Sequence, residues 1–256
     1  MSDSKHFCIF GRMPVLEAFR QGKRFDKILL QKNITSDEIN EILKLAKESE
    51  TPVQSVPREK LESVAKKYSK YREANHQGVL GFLSIIDYYS IDDVLHNVYA
   101  KGETPLLLIL DGITDIGNFG AIARSAECLG AHAIIIPTKG AAQINAEAMK
   151  ASAGALNNIF VCREKSLFTA IQSLKTNGIK IFGTDVKKAT DISNIDFNLP
   201  CAIVLGSEGE GISRDVAKLC DEKIIIPLTG ATESLNVSVS AGILLFQASK
   251  NRKEHV

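Results

Sequence analysis

The 256-residue chain holds no apolar run near the roughly 18 to 20 residues that a membrane span needs. Its opening "MSDSKHFCIFGRMPVLEAF" lacks a cationic start followed by a long apolar core, so no secretory signal is expected. Cysteine is sparse: Cys8, Cys128, Cys162, Cys201 and Cys220 are odd in number and far apart. No C-x-x-C pair occurs, which leaves no metal site and no disulfide framework to expect. A reduced, cytoplasmic protein is the plain reading. Two nucleotide fingerprints are also missing, G-x-G-x-x-G and G-x-x-x-x-G-K-[ST]. Net charge is nearly absent at +1. That value hides an asymmetry, because residues 1–80 carry 15 lysines plus arginines against 11 acids, while the rest carries 16 against 19. A basic first part on a mildly acidic body suggests two domains with different partners.

What is present reads as a globular α/β protein, 45% hydrophobic and 24% charged. Residues 7 to 80 form a small α/β pattern. "GRMPVLEAFRQG" is a turn running into a helix, "FDKILLQ" a strand, and "TSDEINEILKLAKESE" an amphipathic helix. The apolar spacing of Ile39, Ile42, Leu43 and Ala46 carries that helix, and Thr35 or Ser36 is its N-cap. "PVQSVP", "REKLESVAKKYS" and "GVLGFLS" continue as strand, helix and strand. The expected domains are residues 1–84 and 105–256. The linker between them, 85–104, contains the helix "SIDDVLHNVYAKG".

From Pro105 onward strands and helices alternate. "LLLIL", "AHAIIIP", "NNIFVCR", "KIFGTD", "CAIVLG" and "EKIIIP" are continuous apolar runs, which means burial on both faces and a mostly parallel sheet flanked by helices. In such sheets ligands bind at the carboxyl ends of strands. Three of those ends concentrate Gly, Asn, Ser and Thr: "DGITDIGNFGAIAR", "IVLGSEGEGIS" and "IIIPLTGATESLNVSVSAG". Glu208 and Glu210 among the glycines of the second would repel a pyrophosphate. They suit a ligand with positive charge, and S-adenosylmethionine carries a sulfonium and an ammonium.

"GNFGAIARSAECLGA", "IVLGSEGEGIS" and "IPLTGATESLNVSVSAGILLF" resemble the three signature motifs of the SpoU (TrmH-like) family of RNA ribose 2′-O-methyltransferases, in the SPOUT superfamily. The resemblance covers roughly residues 105 to 250. The residues before about 84, ending "NHQGVLGF", resemble the small ribosomal-protein-like substrate-binding domain often fused to that family. The resemblance implies methyl transfer from S-adenosylmethionine to a ribose 2′-hydroxyl of RNA, with 23S rRNA favoured over tRNA, by a homodimer whose C-terminal part forms a deep trefoil knot. Nothing in periodicity or spacing points to the knot, and chains are in general unknotted.

The resemblance also assigns roles. Catalysis falls to Asn118, Arg124, Glu208, Ser234 and Asn236, and cofactor binding to main-chain groups of Gly206, Ile226 and Leu235. Arg124, within a helix of small residues, would need an anionic partner if buried, and an RNA phosphate would supply one. Asn118 sits where a helix N-cap belongs, or else it fixes Arg124 or the ribose. "NVSVSAG" alternates like a strand, but the resemblance implies a helix. In the first domain "KKYSKYR" sets Lys66, Lys67, Lys70 and Arg72 among Tyr68 and Tyr71, a pattern suited to phosphates and unpaired bases. Two other readings are an RNA-binding or ribosome-assembly factor without catalysis and a dinucleotide-dependent oxidoreductase. The first is disfavoured because every motif residue is present, the second because the glycine fingerprint is missing.

Overall fold

A computed structural model describes residues 8–69, 75–185, 189–232 and 234–253. The chain divides into two compact units. One runs to Asp87 and takes in Ile144–Ala146; the other holds Tyr88–Gln143 and continues from Glu147.

The first unit comprises β1 (Cys8–Phe10), α1 (Arg12–Arg20), β2 (Phe25–Gln31), α2 (Asp37–Glu48), β3 (Val53–Val56), α3 (Arg58–Tyr68) and β4 (Val79–Leu83). Its sheet runs β1-β4-β2-β3. β4 is antiparallel to β1 and β2, and β3 is parallel to β2. Alternation along β2 builds two cores. Ile28 and Leu30 pack with Val15, Leu16, Ile39 and Ile42 of α1 and α2, whereas Leu29 packs with Leu61 and Ala65 of α3. The N-cap of α2 is Ser36, whose hydroxyl accepts the Ile39 N–H at 3.3 Å, with Asp37 and Glu38 favourably placed in the first turn. β1 has no counterpart in the sequence reading, because three residues show no measurable period.

The second unit comprises α4 (Ile91–Ala100), β5 (Leu106–Asp111), α5 (Ile116–Cys128), β6 (Ala133–Pro137), α6 (Ala146–Ala151), β7 (Phe160–Glu164), α7 (Leu167–Thr176), β8 (Lys180–Thr184), β9 (Thr190–Asp191), β10 (Cys201–Gly206), α8 (Arg214–Ala217), β11 (Glu222–Ile225) and α9 (Val237–Lys253). Seven strands run β7-β6-β5-β10-β8-β11-β9, every pair parallel. The apolar runs of β5 and β10 are buried throughout, as burial on both faces requires. On one face Leu107, Ile109, Ala133, Ile135, Ala202 and Val204 pack against α4 and α7. Ile91, Val94, Leu95 and Val98 of α4 therefore belong to this core, and the helix expected inside the linker is part of the second unit. α5 lies along α9, close enough that a Cβ on Gly242 would stand 3.8 Å from Ser125 Oγ.

Chain order places the site. From β5 the chain builds outward through β6 and β7, then returns to lay β8, β10 and β11 on the other side. β5 and β10 flank the point where the direction reverses, and there the loops at their carboxyl ends splay apart into a crevice.

At the opposite end of β5, His132 Nδ1 accepts the Leu106 N–H at 3.0 Å while Nε2 lies 3.2 Å from Glu103 Oε2. Burial lowers the imidazole pKa below its ordinary value, although Glu103 opposes the shift. The unfolded chain then binds the proton more readily than the folded one, so this neutral histidine stabilises the fold above about pH 6.5 and that contribution is lost as pH falls through the folded pKa. Denaturant titrations between about pH 5 and 7 should show a slope of stability that rises with pH in the wild type and is flatter in His132→Gln. An unchanged slope would contradict it.

Candidate active site

Three strand-end loops converge on one carboxylate. The first leaves β5 at Asp111 and turns through Gly112, whose φ of 74° is a backbone conformation that favours glycine. Asp115 then caps α5, its Oδ1 accepting the Asn118 N–H at 2.7 Å. The cap is thus Asp115 and not Asn118. Asn118 lies one turn in, with its amide group turned to other partners.

Those partners are Glu208 and Asn236. Asn118 Nδ2 donates to Glu208 Oε1 at 3.2 Å, and Asn236 Nδ2 donates to the same oxygen at 2.6 Å and to Asn118 Oδ1 at 3.0 Å. The Val237 N–H reaches Glu208 Oε1 at 3.4 Å. Asn236 in turn caps α9, its Oδ1 accepting the Ser238 N–H at 2.9 Å. This explains why "NVSVSAG" is a helix despite its alternation: a cap stands at its start and α5 packs along its side. Each amide orientation follows from the donors and acceptors around it.

Beside this cluster opens a cleft of about 740 Å³. Its lining includes Gly206, Glu208, Ile226, Ser234 and Leu235, five of the residues expected at the site. Gly206 admits no side chain, since a Cβ there would lie 2.0 Å from the Gly211 carbonyl carbon. The chain doubles back so closely because Ser207 and Gly211 exchange backbone hydrogen bonds of 3.1 and 2.9 Å. Thr184, Asp185 and Lys223 also line the cleft, the last two joined at 2.6 Å. The sequence reading did not single them out, although "KIFGTD" ends a strand on the ligand side. Among the described residues no group of His, Cys, Asp and Glu could hold a metal ion, and no helix is long and apolar enough to cross a membrane.

Arg124 stands apart. It is exposed, and it makes no hydrogen bond or ion pair among the described residues. The buried face of α5 is Phe119, Gly120, Ile122, Ala123 and Ala126, which turns Arg124 outward. Six residues past Asn118 it sits about 9 Å along the axis and about a third of a turn away. It therefore needs no internal counter-ion, and Asn118 holds Glu208 and Asn236, not the guanidinium.

In the first unit Lys66 and Lys67 are exposed at the end of α3. Tyr68 is half-buried, edge-on to Phe82 at 5.2 Å between centroids, with Lys67 Nζ 5.7 Å from its ring centre. The contact with Phe82 gives Tyr68 a packing role in the first unit. Lys70, Tyr71 and Arg72 lie outside the described residues.

Comparison with known proteins identifies the family. The profile of the SpoU rRNA Methylase family matches residues 105–246, and that of RNA 2′-O ribose methyltransferase substrate binding matches residues 8–89. The Bacillus subtilis (strain 168) protein YacO, assigned by name to the TrmH family of tRNA/rRNA methyltransferases, is 34% identical over 248 residues, 97% of each chain. Among solved structures, the SpoU methyltransferase AviRb from Streptomyces viridochromogenes, in complex with the cofactor AdoMet, aligns with a TM-score of 0.59 at 24% identity over 97% of this chain and 91% of its own. The A. aeolicus TrmH/SpoU tRNA modifying enzyme aligns with a TM-score of 0.56 at 25% identity over 64% of this chain and 86% of its own. With the first profile spanning more than half of its residues and a relative this similar along its whole length, the chain belongs to the SpoU rRNA methylase family.

Proposed function

We propose that the protein is an S-adenosylmethionine-dependent RNA methyltransferase acting on a ribose 2′-hydroxyl, with rRNA as its substrate in the cytoplasm. The observation that carries this reading is the joining of Asn118, Glu208 and Asn236 beside the cleft. The cleft fits the cofactor on two grounds. Its volume of about 740 Å³ lies within the range for small-molecule sites, and its acids Glu208 and Glu210, with Asp185 paired to Lys223, favour a cation over a pyrophosphate. Main-chain groups of Gly206, Ile226 and Leu235 would hold the adenosine part. When bound, the cofactor supplies an electrophilic methyl group.

The chain's own task is to orient the RNA hydroxyl and ease the loss of its proton. Arg124, an exposed cation with no hydrogen bond or ion pair among the described residues, is suited to hold the phosphate beside the target ribose. A guanidinium stays protonated, so Arg124 acts through its field, lowering the hydroxyl's pKa, and not as a base. Ser234 lies in the cleft wall two residues before Asn236, within the same loop. rRNA is favoured because the family profile is named for rRNA methylation and the second profile accounts for the first unit. tRNA is the alternative, as the A. aeolicus relative's description illustrates. Mapping ribose methylation in cells that lack the protein separates the two.

We also infer a trefoil knot and a homodimer. The knot rests on the resemblance of the three loop motifs to those of the SpoU family. The dimer is supported by Val239 and Phe246, exposed apolar residues one heptad apart on α9.

Purified Arg124→Ala should bind S-adenosylmethionine like the wild type, scatter light as a particle of twice 27.9 kDa, and lose methyl transfer by about a hundredfold or more. Near-normal turnover would remove the arginine from the mechanism, and a 27.9 kDa particle would remove the dimer. The first unit is proposed to supply RNA affinity through Lys66, Lys67, Lys70 and Arg72. Neutralising all four should weaken RNA binding and flatten its dependence on salt by about one unit of log–log slope for each phosphate no longer held, leaving cofactor affinity unchanged. An unchanged salt slope would place the RNA-binding surface elsewhere.

A further inference from the structure

One acid at the centre of the sheet lies outside the Glu208 cluster. Asp111 is the last residue of β5 and stands in register beside Gly206, the last residue of β10. Its Oδ2 accepts the Ser213 N–H at 2.8 Å, a bond that crosses 102 residues of sequence. Ser213 closes the loop that begins at Ser207 and carries Glu208, and α8 starts immediately after it. The near end of that loop is held by the Ser207–Gly211 exchange, and its tip by the Glu208 bonds to Asn118 and Asn236. Its far end is held by Asp111.

We propose that Asp111 is a positioning residue: by accepting the Ser213 amide proton it holds the Glu208 loop in the shape that forms the cofactor wall of the cleft. This rests on the reading of the cleft as the S-adenosylmethionine pocket. The role asks for an acceptor atom and not for a charge. Asp115, Glu208 and Glu210 belong to the same two loops, so a further negative charge there is repelled by its neighbours and is not what the role requires. An asparagine oxygen at position 111 can accept the same bond.

Two substitutions remove the bond from opposite sides. Asp111→Ala deletes the acceptor. Ser213→Pro deletes the donor, and the Ser213 φ of −58° already suits proline. Calorimetric titration with S-adenosylmethionine should show each variant weakened about tenfold, the double variant no weaker than either, and Asp111→Asn within about twofold of the wild type. Turnover at saturating cofactor should change far less than affinity. Hydrogen exchange at the Ser213 amide, which needs no cofactor, should quicken in Asp111→Ala and stay slow in Asp111→Asn. If Asp111→Ala fails to fold, Ser213→Pro carries the test. Wild-type affinity in either single variant, or an Asp111→Asn as impaired as Asp111→Ala, overturns the proposal. A wild type that does not bind S-adenosylmethionine overturns the function proposed for the cleft, while the amide exchange still decides the role of Asp111.

Discussion

A single carboxylate oxygen, Glu208 Oε1, gathers the ends of three strands. It accepts from Asn118 on α5, from Asn236 at the head of α9 and from the Val237 N–H. Hydrogen bonds to an ionised acceptor are roughly twice as strong as neutral ones, and here three of them share one atom. The two asparagines also bond each other, so the three side chains form a closed ring of contacts. Because each residue sits at a helix start or strand end, the ring sets the angle at which α5 and α9 approach the glycine loop. The cleft is the space left beneath that arrangement.

Steric constraints leave the backbone little alternative. Gly206 cannot carry a Cβ because the returning chain occupies that position, and Gly183 faces Cys220 Sγ at 2.6 Å from where its Cβ would be. At Gly120 a Cβ would meet Ala151 at 2.4 Å, which sets how closely α5 lies on the segment beside it. Small residues in the motif helices therefore serve close approach as well as chemistry. At the amino ends of the strands, the Arg252 guanidinium donates to the carbonyls of Phe197, Thr104, Pro105 and Leu199, tying the end of α9 to the start of β5. α9 is thereby held at both ends, by Asn236 and by Arg252.

Much of this was legible in the sequence, for physical reasons that can be named. Strands buried on both faces write themselves as unbroken apolar runs, and all six long runs from Leu106 onward are strands of one parallel sheet. The loops at their carboxyl ends stood out because Gly, Asn and Ser cluster there in place of apolar residues. The errors have reasons too. "DIGN" offers two capping residues three apart, and only the folded backbone shows that Asp115 takes the cap and frees Asn118. The exposure of Arg124, by contrast, was legible: Phe119, Ile122, Ala123 and Ala126 fall at i, i+3, i+4 and i+7, a stripe that leaves the arginine on the outer face. The bonds Asp111–Ser213 and Asp185–Lys223 join residues brought together by topology alone, and local pattern carries no trace of them. β1 and β9 are too short to show a period.

The central claim is that Glu208 couples the three loops into one cofactor site, and a double-mutant cycle read by calorimetry with S-adenosylmethionine tests it most directly. Glu208→Ala should weaken cofactor binding about tenfold or more, and Asn118→Ala should weaken it by itself yet add almost nothing in the Glu208→Ala background, because the ring is already open. Independent, additive losses would contradict the account, as would a Glu208→Ala protein that binds the cofactor as tightly as the wild type.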